Sequence, residues 1–362
     1  MTAASLESET SYPRGFEALD RVYQDHSPTP DEIARYGSFK IIDTELLSTP
    51  RGVINLGEVL TNPSQVERTL TIVNGVSTEQ DFAYFRQEPT SVHLGKTRSV
   101  PYFITRDKQG LPGLVEFTDA KTLIGEDPRI ARNIRLRGAL GTIYTGWCVS
   151  TVVATPKPSN PAEVESIKQV FYWGETLGTL EPVVEVKNLK NTCLYPVGAT
   201  DDDTSIDVFG RPHPHISYDR FDDLRDLTEE RVRSGMIITE DFLPPGVHTG
   251  VNFVKGRAGH PNHRELDIHE ARTLPTPDGA ELHYRLGRYG YELPSREFPK
   301  GRLTPLGVLA TRGQFPEAVP KPPENGVASY QDVLYGSMGK LGYMVTGVSD
   351  RYVGIATIAR TA

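Results

Sequence analysis

Three segments follow one another closely in the middle of the chain: LGTIYTGW (140–147), STVVATP (150–156) and KQVFYWGE (168–175). Each is short and rich in β-branched and aromatic residues, the composition of a strand on a packed sheet. The same signal recurs upstream in RTLTIVNGV (68–76), DFAYFRQE (81–88) and VPYFITRD (100–107). It continues downstream in HPHISYDR (213–220), GVNFVKGR (250–257), AELHYRLGRYGYEL (280–293), KLGYMVTGVSD (340–350) and RYVGIATIAR (351–360). Gly, Pro, Asp and Asn punctuate the intervals. Helical patterning is confined to two places. SPTPDEIARY (27–36) offers a Ser/Thr cap and a proline start, and DRFDDLRDLTEERVRSG (219–235) is charged and ends in Gly. The expectation is an all-β chain with short helical insertions.

A length of 362 residues is too great for a single sandwich, and many short strands at roughly even spacing fit a β-propeller. About five four-stranded blades of ~60–70 residues each fit the length, though no clean repeat marks the count. The expected organisation is an N-terminal extension over 1–45, packed on a single five-bladed β-propeller over 46–362. In such a fold loops from several blades converge on one axial pocket, so functional residues are expected to be scattered along the chain.

Composition narrows the class. The chain holds 33 Gly and 28 Pro against 37% hydrophobic residues, loop-rich but with apolar runs from end to end. A formal charge of -8 without any basic block argues against nucleic-acid binding. The first residues, MTAASLESETSYPRGF, have no basic then apolar leader, and no later run approaches the ~20 apolar residues of a membrane span. A soluble, cytoplasmic protein without a membrane partner is expected. Cys148 and Cys193 lie in apolar surroundings and read as free buried thiols.

Chemistry-bearing residues cluster in GEDPRI (125–130), just ahead of the alternating stretch that runs into Trp147. Asp127 is a candidate general acid, since a carboxylic acid kept partly protonated by its site can supply a proton to a leaving oxygen. Alternatively Glu126, Asp127 and Arg129 form a turn and ion pair at a blade edge. Lys190 precedes NTCLYP, and Arg211 and His213 stand in GRPHPH; a strand there would put 211, 213 and 215 on one face. Lys190, Arg211, His213 and Arg129 together would suit a phosphate, Arg by bidentate contact and Lys as a point charge. Trp147 and Tyr144 are candidates to stack on a flat ligand face, with core packing the better reading of each. His260, His263, Glu265 and His269 match neither a helical His-Glu-x-x-His arrangement nor a structural zinc pattern, so no metal is assigned. No glycine-rich nucleotide loop is found.

Taken in order, GEDPRI, GTIYTGW (141–147), LKNTCLYPV (189–197), GRPHPHISYDRFDDL (210–224), HYRLGRYGYEL (283–293) and YMVTGVSDRYVGIATI (343–358) form a series. It resembles the motif series of glycoside hydrolase family 130, the five-bladed β-propeller mannoside phosphorylases, and the related β-1,2-mannosyltransferase/phosphorylases. The likeness spans roughly residues 50 to 360. The first blade has only a loose counterpart in FAYFRQEP, and residues 245–270 depart from the family's tyrosine-histidine-glycine segment.

The resemblance implies inverting phosphorolysis of β-mannosides, or the reverse transfer from mannose 1-phosphate, with Asp127 passing its proton through a sugar hydroxyl. It implies sugar contacts from Asp350, with Arg86, Glu126, Tyr284 and Arg285 lining the pocket. Inorganic phosphate would be the co-substrate and no other cofactor is expected. The partner would be a mannose-containing oligosaccharide or mannose 1-phosphate, with a homo-oligomer among the assembly options. A β-mannoside hydrolase of the same fold and a non-catalytic carbohydrate-binding propeller stay open as alternatives.

Overall fold

The computed structural model describes residues 16–25, 38–47, 58–73, 76–89, 96–106, 112–198, 200, 202–241, 243–257, 259–277, 279–311, 314–315, 327–331, 334–338, 343–348 and 352–361. Among them strands dominate and form five antiparallel sheets, each built on a path of four strands. Sheet I joins Ser38–Leu46 to Leu334–Met338, Tyr343–Val348 and Tyr352–Thr361, so early and late parts of the chain share one sheet. Sheet II comprises Glu58–Pro63, Glu67–Val73, Val76–Pro89, Arg98–Arg106, Pro112–Glu116 and Leu123–Ile124. Sheet III runs Glu126–Arg137, Ile143–Lys157, Asn160–Gly174 and Glu181–Lys187. Sheet IV runs Cys193–Pro196, Ile206–Gly210, Ser217–Phe221 and Met236–Ile237. Sheet V runs Val247–Arg257, His260–Thr276, Gly279–Glu292 and Arg302–Thr311, with Val327–Gln331 added in parallel beside Gly279–Glu292.

The arrangement is β-propeller-like, and the apolar runs show why. Successive side chains of a strand point to opposite faces, so a strand packed on both faces is apolar at every position rather than every second one. Within DFAYF, Phe82 and Tyr84 face sheet III with Ile130 and Val149, while Ala83 and Phe85 face sheet I with Tyr343 and Val345. Phe209 and Tyr291 fill the space between sheets IV and V, Val208 and Phe171 that between III and IV, and Leu286 and Met344 that between V and I. Each sheet is thus a slab with a hydrophobic cluster on either side. Truncating a buried Phe to Ala in such a core costs about 3–5 kcal/mol.

One edge strand of each sheet lies toward a common interior. Glu58–Pro63, Glu126–Arg137, Cys193–Pro196 and Val247–Arg257 adjoin one another in that order, and Leu334–Met338 touches both the first and the last.

Several expectations are corrected in detail. The segments 140–147 and 150–156 are one strand, Ile143–Lys157. Residues 211–215 form the connection between Ile206–Gly210 and Ser217–Phe221 rather than a strand, because Pro212 and Pro214 have no N–H to give a ladder. Over 219–235 the chain finishes a strand at Phe221, makes a single 3-10 turn at Leu224–Asp226 and then a short helix, Glu229–Ser234, capped by the Thr228 side chain. The expected boundary at residue 45 falls inside strand Ser38–Leu46. A helix not expected from the sequence, Glu17–Asp25, buries Phe16 and Leu19 beside Val247. The helix expected over 27–36 lies outside the described residues. Cys148 and Cys193 are buried free thiols, and burial pushes Cys193 up to about 11. Among the described residues no helix is long and apolar enough to cross a membrane.

Candidate active site

The GEDPR segment is a β-bulge. Glu126 pairs with Val152 and Arg129 with Ser150, so Asp127 and Pro128 bulge out of the ladder. Such bulges re-aim side chains. Asp127 adopts φ 50°, a left-handed conformation uncommon for a residue with a side chain. Gly125, at φ 111°, makes the approach possible: a Cβ there would stand 2.6 Å from the Val152 carbonyl oxygen and 2.7 Å from Thr151 Oγ1.

The bulge sends the buried Asp127 carboxylate toward sheet II. Asn62 Nδ2 donates to Asp127 Oδ1 at 3.1 Å, and Arg86 Nη1 lies 3.8 Å from the same oxygen. Arg86 also approaches Glu126 at 3.6 Å and is bonded to Glu88 through Nε at 3.0 Å and Nη2 at 2.5 Å. Much of its charge is therefore already balanced.

On the other side stands a group of cations with no such balance. Arg129 is buried and donates to neutral acceptors: the Pro128 carbonyl at 3.0 Å, the Asp127 carbonyl at 3.3 Å, the Val251 carbonyl at 3.4 Å and Asn252 Oδ1 at 3.0 Å. Arg211 Nε is buried without a hydrogen-bond partner among the described residues. Burial first and Arg211 second hold Lys190 below its usual range, while Asp127 and Glu126 pull the other way. Lys190 is nevertheless exposed. Among the described residues none of Arg129, Lys190 and Arg211 forms an ion pair with a carboxylate.

Histidines complete the wall. Burial, then Arg211, His213 and Lys190, lower His248 to about 3. Burial, then Arg211, Lys190 and His215, also lower His213. The His213 and His248 rings are 5.0 Å apart. Tyr284 stands 6.1 Å from His248 and 5.8 Å from His269, ring to ring. His269, fully buried and kept well below its ordinary value by that burial and by Arg211, bonds Asn252 Oδ1 through Nδ1 at 2.8 Å.

The structure therefore brings together Asp127, Glu126, Arg86, Arg129, Lys190, Arg211, His213 and Tyr284. It sets Arg285 apart. Alternation puts Arg285 on the face opposite Tyr284, where it is fully buried, bonded to Glu270 and Asp20 at 2.5 Å each and stacked on Phe16 at 4.4 Å. It fastens the Glu17–Asp25 helix to sheet V and is out of reach of a substrate, so the substrate-contact expectation for Arg285 is corrected. Asp350 lies outside the described residues. Trp147 packs edge-on against Phe82 at 5.6 Å, and Tyr144 pairs with Leu136 near the far end of strand Glu126–Arg137, roughly 30 Å from Asp127 at ~3.3 Å per residue. His263, Glu265 and His269 turn to Glu292, Arg288 and Asn252 respectively.

Sequence reading missed Asn62, His248, Asn252 and His269. TNPS (61–64) reads as a turn, and only the histidine-rich composition of 248–269 marked the other three.

No family model and no curated protein matches the chain. Solved structures do. MPT-4, a mannose phosphorylase from Leishmania mexicana solved in complex with phosphate ion, aligns at a TM-score of 0.62 with 16% identity over 94% of this chain and 93% of its own. MPT-1, a GDP-Man-dependent mannosyltransferase from the same organism, aligns at 0.63 with 18% identity over 95% and 94%. A hypothetical protein from Leishmania major aligns at 0.59 with 15% identity over 94% and 93%. This chain has their fold. The likeness is consistent with the resemblance to glycoside hydrolase family 130 carried by the motif series.

Proposed function

We propose that the chain is a carbohydrate-active enzyme that exchanges a β-mannosidic bond for a bond to phosphate, with inversion. The observation that carries this is a buried carboxylate, Asp127, placed beside three cations, Arg129, Lys190 and Arg211, none of which forms an ion pair with a carboxylate among the described residues. A buried cation such as Arg129 is costly to leave without a counter-charge, and an anionic ligand reduces that cost. In the forward direction a phosphate oxygen attacks the anomeric carbon from the face opposite the leaving group. The C–O bond to the leaving sugar breaks and Asp127 supplies the proton that its oxygen needs, relayed through a sugar hydroxyl. Mannose 1-phosphate and a shortened sugar result, and the reverse reaction releases phosphate.

A hydrolase of the inverting type needs a second carboxylate across the pocket to activate water. Among the described residues Glu126 and Glu88 share Arg86 with Asp127. The cations without an ion-paired carboxylate among the described residues, and the fold neighbour solved with phosphate, support phosphate rather than water as the nucleophile. We read sheets I–V as five blades of one closed ring, supported by a hydrophobic cluster between each successive pair and by the pairing of Ser38–Leu46 with Tyr352–Thr361. In this reading Asp350, which lies outside the described residues, supplies a sugar contact.

The test is incubation of the purified protein with mannose 1-phosphate and a panel of acceptor sugars while free phosphate is followed. Acceptor-dependent phosphate release supports the assignment. Release of free mannose from β-mannosides at a rate indifferent to phosphate makes the protein a hydrolase, and no turnover in either direction makes it a binding propeller.

A further inference from the structure

Asn252 sits at a second β-bulge, where strand Val247–Arg257 shifts register between Val251 and Phe253. Its Oδ1 takes two hydrogen bonds, from Arg129 Nη2 at 3.0 Å and with His269 Nδ1 at 2.8 Å. A guanidinium has donors only, so Arg129 fixes which end of the amide is the oxygen. The oxygen in turn only accepts, so His269 must carry its proton on Nδ1. The Asn252 amide is thereby locked, and its Nδ2 is left buried without a hydrogen-bond partner among the described residues, in a side chain only 5% exposed. Leaving a buried donor unmade costs about 1–3 kcal/mol. On the same strand a Cβ at Gly250 would lie 2.4 Å from His269 Cε1 and 3.1 Å from Arg211 Cδ, so His269 and Arg211 meet above its backbone. The unsatisfied amide donor, on the residue that His269 bonds, is thus near Arg211, whose Nε is also unsatisfied among the described residues.

We propose that Asn252 donates its Nδ2 hydrogens to the bound phosphate and that His269 is a positioning residue that holds the amide in this orientation. The inference rests on reading the Arg129, Lys190 and Arg211 group as an anion site. Asn252 adds a neutral, directional donor to those charges, one that selects a tetrahedral oxyanion by geometry. His269 neither touches the anion nor passes a proton; it acts through Asn252.

The test is calorimetric titration of inorganic phosphate into the wild-type protein and three variants, each also melted without phosphate to compare folding. Asn252→Asp keeps the shape and both accepting bonds but turns the donor into a negatively charged acceptor. It is expected to weaken phosphate binding by at least about tenfold to a hundredfold, the scale of a lost charge-assisted contact. His269→Leu, which removes the lock, is expected to weaken binding by about tenfold, and His269→Asn, whose amide nitrogen stands where Nδ1 was, to restore most of the loss. In the wild-type protein, NMR of the imidazole nitrogens should show His269 protonated on Nδ1 with and without phosphate. Wild-type phosphate affinity in Asn252→Asp, or an Nε2-protonated His269, overturns the proposal while leaving the anion site standing. A wild-type protein that binds no phosphate overturns both.

Discussion

Two clusters of arginines around a buried aspartate are treated in opposite ways in this molecule. Around Asp207, which is fully buried, every charge is answered. Arg264 reaches its Oδ2 through Nε at 2.9 Å and Nη2 at 2.5 Å, while Arg220 Nε and Tyr218 Oη reach Oδ1 at 2.9 Å. Arg264 also lies over the Tyr195 ring at 4.3 Å. This network ties sheet IV to sheet V. Around Asp127, by contrast, among the described residues Arg129 finds neutral oxygens and Arg211 leaves a donor unmade. The difference separates a structural cluster from a candidate site: the first is complete without a ligand, while the second leaves cationic donors for the proposed anion.

The comparison breaks most sharply at the two aspartates. Asp127→Asn keeps the fold and is expected to lower turnover in the phosphate-release assay by up to roughly ten-thousandfold, the upper range for loss of a general acid. A loss within about tenfold would return Asp127 to a purely structural part. Asp207→Ala strands the buried Arg264 in the core and is expected to cost about 3–5 kcal/mol in denaturant unfolding. Molecules that remain folded should bind phosphate as wild type does.

Arg211→Ala sharpens the contrast from the other side. Removing an unneutralised cation should leave thermal stability unchanged or raise it, while weakening phosphate binding by roughly ten- to a hundredfold, for ~1.5–3 kcal/mol per charge-assisted contact. A clear loss of stability would mean that Arg211 is structural after all.

The smallest effect concerns pH. His248, at about 3 in the fold, lies below its ordinary 6.5 because of burial and of Arg211, His213 and Lys190, and His269 is lowered in the same direction. Between those values the unfolded chain binds more protons than the folded one. Stability is therefore full above pH ~6.5 and falls as pH drops toward 3. A bound dianion offsets the surrounding positive charge and favours protonated histidine, so the rise in melting temperature on adding sulfate, a tetrahedral oxyanion whose charge is constant over the range, should grow from pH 7.5 to pH 5.5. An increment that shrinks over this range would place the anion away from His248.

How far the sequence could be read depends on the range of each signal. The strands were legible because β-branched and aromatic runs report local conformation, and DFAYF and YMV, apolar at consecutive positions, report burial on both faces. GEDPR was legible as a special local structure, since Gly125 and Asp127 need unusual backbone angles. Asn62 was not, because nothing in TNPS says which strand of another sheet it will face. Asn252 and His248 were hidden for the same reason: their partners Arg129 and His213 lie far off in sequence and carry no spacing rule.

The adjacent pair Tyr284 and Arg285 draws the line most finely. Alternation along a strand determines, from sequence alone, that the two side chains point to opposite faces. Which face meets the cations and which is sealed depended on the placing of the Glu17–Asp25 helix. That helix buries Phe16 and presents Asp20 against Arg285, leaving Tyr284 beside His248 and His269. Local sequence determines strand, bulge and alternation because those follow from neighbouring backbone sterics. Only the packing of the sheets determines which carboxylate meets which cation, since that contact joins residues the chain itself keeps far apart.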